Sequence, residues 1–174
     1  CAGASAFAAE LELNGDPSRA LRIFNRLLEK NPRDESVLVW GAYASVLAGD
    51  ADGGLRLLNG RALNVSRAGA GRILRGILRE RSGDMAGAES DFSALMKRVP
   101  NLPGLYTLRS QARFKSGRRT LALEDAHTAL DLHPENLDAF VRLLYASSGS
   151  MPSSDSSLEK EVLLEALSAL LARE

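Results

Sequence analysis

The chain has 174 residues, 45% of them hydrophobic and 25% charged, enough for one substantial domain with its own core. Its 22 basic and 22 acidic residues cancel, which argues against nucleic acid as a partner. No run approaches the roughly 18 apolar residues that a membrane-spanning helix needs, so the reading contains no transmembrane segment.

Cys1 is the only cysteine, so no internal disulfide can form. It reads either as the first residue of a trimmed fragment or as the lipid-carrying cysteine of a mature bacterial lipoprotein. The expected compartment is the cytoplasm. The alternative is the bacterial envelope, with membrane contact only if Cys1 is lipidated.

In chain order, a first helix is expected near residues 3–14, with small Ala8 inside it. Gly15 can take the positive φ that ends a helix, and Asp16 can cap the next. Pro17 then sits at the first position of a helix over 17–30, where its missing N–H costs little. Leu21, Phe24, Leu27 and Leu28 recur at helical spacing, and Pro32 stops the helix. A helix opens after Asp34 and ends at Gly49. The one after Asp50 carries Gly53, Gly54 and Gly60, each lowering helix propensity by about 1 kcal/mol relative to Ala. That hairpin is expected to be distorted or mobile. The segments ILRGILRERSGD over 73–84 and TLRSQARFKSGR over 107–118 follow, the latter with Arg118 in place of a capping Asp. The helix after it ends in Leu130, Leu132 and His133 before Pro134.

These features repeat every 34 residues. Gly15, Gly49, Gly83 and Gly117 keep that spacing, as do the small residues Ala20, Gly54, Ala88 and Ala122 five positions on. Ala8, Ala42, Gly76 and Ser110 stand seven before each glycine; Pro32, Pro100 and Pro134 close three of the units, with Ser66 the exception. A fixed period of this length marks a repeat array whose hairpins must stack to bury their apolar faces.

The pattern Ala8, Leu11, Gly15, Ala20, Phe24, Leu27, Pro32 resembles the tetratricopeptide repeat (TPR). Gly76, Gly83, Ala88, Phe92, Leu95, Pro100 and Tyr106, Ser110, Gly117, Ala122, Ala126, Ala129, Pro134 repeat the resemblance. It implies an all-α fold, a right-handed α-solenoid of antiparallel helix hairpins. About four TPR units, a partial fifth and a C-terminal capping helix are expected: the array over 1–146, a flexible Ser-rich loop over 147–157 and the cap over 158–174. Ser156 and Glu159 fit a capping box for that last helix, and Leu158, Val162, Leu163, Ala166, Leu167, Leu170 and Leu171 form its apolar stripe. Its rival role is a detachable partner helix.

No phosphate loop, nucleophile elbow, HExxH or paired-cysteine site occurs. His127 and His133 read as structural or solvated, and Asn64-Val65-Ser66 is a glycosylation sequon of a kind common by chance. No enzyme activity, cofactor or metal is therefore expected. The resemblance implies a concave groove lined by the first helix of each repeat, holding a peptide or helix of a protein partner. Its positions here are Ser5, Ala9 and Glu12, then Val39, Tyr43 and Val46 with Trp40 at the rim. Ile73, Ile77, Glu80 and Arg81 follow, then Thr107, Gln111, Phe114 and Lys115. The centre reads apolar and aromatic and the later end basic, suiting an amphipathic helix or a segment with a hydrophobic anchor. The carboxylate clamp of TPR co-chaperones is absent, since its positions hold Ser5, Ala9, Trp40, Ala70 and Leu74. The expected function is a non-catalytic scaffold or adaptor. The alternatives are a lipid-anchored envelope assembly factor, or a substrate-recruiting or co-chaperone-like module of a larger protein.

Overall fold

Asp16, Asp34, Asp50 and Asp84 each accept the backbone N–H three residues on, from Arg19 (2.8 Å), Val37 (3.1 Å), Gly53 (2.8 Å) and Gly87 (2.8 Å). These caps satisfy N–H groups that have no partner inside a helix. A computed structural model describes residues 15–59 and 69–135 of the chain. They form seven helices and no strand. These are α1 (Pro17–Lys30), α2 (Glu35–Ala48), α3 (Ala51–Asn59), α4 (Gly69–Arg81), α5 (Met85–Met96), α6 (Pro103–Lys115) and α7 (Arg119–Leu132).

Gly15, Gly49, Gly83 and Gly117 have φ of 84°, 74°, 92° and 82°. Among the described residues they alone have positive φ. The 34-residue period is thus a period in backbone conformation. A side chain at these positions would be strained, which is why glycine recurs there.

The chain divides into two compact units, Cys1–Gly83 and Asp84–Glu174. In the first, α2 packs against α1, α3 and α4, and α3 packs against α4. α2 is apolar on every side, and residues 41–46 are buried without a break. The buried Ser45 hydroxyl donates to the Gly41 carbonyl at 3.0 Å. α1 contributes Ala20, Phe24 and Leu28 to the core, while Leu58 comes from α3 and Ala70, Ile73, Leu74 and Leu78 from α4.

Helices approach closely where residues are small. A Cβ on Gly54 would lie 2.6 Å from Leu78 Cδ1 and 2.9 Å from Ser45 Cβ. Gly54 is therefore the crossing point of α3 with its two neighbours. Of the glycines that lower the propensity of α3, Gly54 has a positional reason, making room at the crossing, whereas Gly53 donates to the Asp50 cap through a backbone N–H as Arg19 does to Asp16. Over its described part this hairpin is regular, with α2 ending in the left-handed Gly49 and α3 starting two residues later.

In the second unit, α6 packs against α5 and α7. Ser110 and Ala122 hold the small positions of the α6–α7 hairpin; both are buried, and Ser110 Oγ donates to the Ala122 carbonyl at 2.8 Å. Ala88, Phe92 and Leu95 of α5, Leu105 and Ala112 of α6, and Ala126 and Ala129 of α7 fill the interior. The expected helix over 3–14, Cys1, the sequon, the partial fifth unit, the Ser-rich loop and the helix over 158–174 lie outside the described residues.

Candidate partner-binding face

The residues expected to line a groove fall into both units. In the first, Val39 and Trp40 are half-buried on α2, and the Trp40 indole meets the Tyr43 ring edge-on, centroids 5.8 Å apart at 76°. This is a favourable aromatic arrangement. Tyr43 itself is 2% exposed, Ile73 0% and Ile77 7%. Val46 and Glu80 are also buried. Arg81 is exposed at the end of α4, and its Nη1 donates to the Val46 carbonyl of α2. That carbonyl lies in the last turn of α2, where a cation favours the helix dipole.

In the second unit, Thr107 is fully buried, its hydroxyl donating to the Pro103 carbonyl at 3.3 Å, and Gln111 is 5% exposed. Phe114 is half-buried with the Arg119 guanidinium 5.9 Å from its ring centroid, within cation–π range. Lys115 is exposed. In this conformation Tyr43, Ile73, Ile77, Thr107 and Gln111 present almost no surface to a partner. Trp40, Val39, Phe114, Arg81 and Lys115 do.

A polar network across α5, α6 and α7 escapes the repeat pattern. Asp125, whose side chain is 4% exposed, accepts from Arg109 Nε at 2.9 Å, Arg109 Nη2 at 2.6 Å and Arg113 Nη1 at 2.9 Å. Glu89 accepts from Arg113 Nε at 2.8 Å and pairs with the Arg118 guanidinium. Arg109 Nη1 reaches Ser93 Oγ at 3.0 Å. Burial works against the charge on Glu89, but hydrogen bonds and attraction from Arg113 and Arg118 outweigh it and lower its pKa. Burial likewise opposes the Arg109 cation, and the Asp125 partner more than restores it, raising its pKa. Arg118 stands where the other repeats have their capping Asp and makes no side-chain cap. Its pairing with Glu89 gives it a different structural use. The available signal in the sequence is Asp125, a charge among the core alanines Ala122, Ala126 and Ala129.

The described helices, with glycine turns at a fixed period and small residues at the crossings, are those of a helical-hairpin repeat. The chain is similar to a thermophilic TPR protein from Thermus thermophilus, with TM-score 0.70 and 19% identity, covering 95% of this chain and 98% of that one. It has the TPR fold. MamA is also similar, at TM-score 0.71 and 13% identity over 95% of this chain and 92% of that one. So is a TPR protein from Parabacteroides merdae, at TM-score 0.59 and 19% identity over 94% and 70%. No protein-family model and no curated protein sequence matches the chain. On the TPR framework α2, α4 and α6 are first helices of their repeats, and α3, α5 and α7 the second helices. Among the described residues no group of three His, Cys, Asp or Glu side chains could hold a metal ion, and no helix is long and apolar enough to cross a membrane.

Proposed function

We propose that this protein is a non-catalytic interaction scaffold that holds a peptide or helix of a protein partner on the first helices of its repeats. The TPR fold over nearly the whole chain is the observation that carries the reading. The half-buried aromatics support it. Trp40 in the first unit and Phe114 in the second each keep part of a large ring available, and each unit also exposes a cation, Arg81 in the first and Lys115 in the second. Aromatic rings with part of their surface open are the residue type that dominates binding energy at interfaces. A segment with an apolar anchor and an acidic flank suits each set.

Quantitative capture from extracts of the source organism tests the reading. Proteins enriched on the wild-type chain should be lost from the Trp40→Ala and Phe114→Ala variants, with only a small fall in melting temperature. Enrichment that survives both substitutions contradicts it.

A further inference from the structure

The solvent side of α1 carries a row of cations that the repeat framework does not use. Arg19, Arg22, Arg26 and Lys30 recur at intervals of three, four and four residues. At about 100° per residue they share one arc of about 80° and run about 16 Å along the helix. This arc lies opposite Ala20, Phe24 and Leu28, the buried side. Arg33 extends the row into the turn after Pro32. All five are exposed, and none takes part in an ion pair among the described residues.

Stability does not account for the row. Arg22 with Arg26, and Arg26 with Lys30, are like charges four residues apart, which repel. Arg19 lies in the first turn, at the positive end of the helix dipole; Lys30 alone lies where a cation helps. The second unit shows the contrast. There Arg109, Arg113 and Arg118 are all paired with Asp125 or Glu89. Beside the row, a shallow groove of about 210 Å³ runs between α1 and α3, lined by Leu21, Asn25, Asp50, Gly53, Arg56 and Leu57. It adds a further exposed cation, Arg56, and two half-buried leucines.

We propose that this face of α1, with the adjoining groove, is a second docking surface that binds an acidic segment of a partner protein. Carboxylates spaced along the segment meet the arginine row, and one apolar side chain enters the groove between Leu21 and Leu57. Four of the five cations in the row are arginine, whose planar fork matches a carboxylate with two parallel hydrogen bonds. A protein segment fits better than a phosphate backbone or a lipid surface. Glu29 flanks the row, and the capping acids Asp16 and Asp34 stand at its two ends. A polyanion would meet those acids, whereas a peptide can place neutral or basic residues against them. The chain as a whole has no net charge to draw a polyanion in.

The test uses the full chain and two labelled helical peptides carrying Glu or Gln at intervals of three, four and four, with one leucine beside them. The Glu peptide should bind about tenfold more tightly than the Gln peptide at about 50 mM salt, and the difference should shrink at about 300 mM. Arg22→Gln with Arg26→Gln should remove the preference while the melting temperature holds or rises. Trp40→Ala should leave it intact, which separates this surface from the first-helix face. Equal binding of the two peptides overturns the proposal, and so does a preference that survives the double substitution. Binding of a DNA duplex or of phosphatidylserine-containing vesicles without discrimination between the peptides overturns it as well.

Discussion

Arg109 grips Asp125 with two parallel hydrogen bonds, Nε at 2.9 Å and Nη2 at 2.6 Å, joining α6 to α7 where the carboxylate is almost wholly buried. Arg113 supplies a third bond to the same carboxylate. Removing the acid leaves two guanidinium groups, with side chains 17% and 14% exposed, without their shared partner. Asp125→Ala should therefore cost about 3 kcal/mol, because an uncompensated buried charge is the main loss. Arg118→Ala breaks a pair whose cation is 41% exposed and should cost less than about 1 kcal/mol. Urea denaturation of both variants measures the difference.

Acid should weaken this network through Glu89. Its pKa is lower in the folded chain than the ordinary value of 4.5. The unfolded state therefore takes up the proton first, and stability falls as the pH drops below about 5 toward the folded value. Above that range the contribution is fully present. Melting temperature recorded from pH 7 to pH 3 should show the fall, and Glu89→Gln should flatten that part of the curve while lowering its upper plateau.

Adjacent glycines in α3 should respond differently to alanine. Gly54→Ala places a methyl group 2.6 Å from Leu78 and 2.9 Å from the Ser45 Cβ, in a close crossing of three helices. It should destabilise by about 1–3 kcal/mol through overpacking. Gly53→Ala meets only the movable carboxylate of Asp50, and Arg19 makes the same cap in the first repeat with a full side chain. The gain in helix propensity should offset the disturbance, leaving the change within about 1 kcal/mol. Thermal melts of the two single variants decide the comparison.

Trp40 and Tyr43 touch, yet should separate binding from folding. Tyr43 is 2% exposed, so Tyr43→Ala should lower stability by about 3 kcal/mol or more. Trp40 and Phe114 are half-buried, and their alanine variants should weaken a captured partner by about 1–3 kcal/mol with a smaller loss of stability. Parallel calorimetry and melting curves resolve the pair. Equal losses in both for Trp40→Ala would assign that residue to the core.

Much of the fold is legible because it depends on local chemistry repeated at one period. A glycine that must take positive φ, an aspartate that caps three residues on, and a proline that ends a helix each act within a few residues. Gly15, Gly49, Gly83 and Gly117 meet that requirement, and α1 begins and ends where Asp16, Pro17 and Pro32 place it. Burial is different, because it depends on every element packed around a residue. Tyr43, Ile73 and Thr107 hold first-helix positions that the repeat pattern assigns to a surface, yet they lie inside.

The order of helices, their turns and the small residues at their crossings were determined by the sequence alone, since each follows from the torsions and hydrogen bonds of neighbouring residues. Only the tertiary structure decided which charges are paired and which are free. Arg109 and Arg113 find Asp125 through the packing of α6 on α7, whereas Arg22 and Arg26 face water because nothing described in the chain packs against that side of α1. A charge is given its partner by distance in space, and the distance along the chain does not contain it.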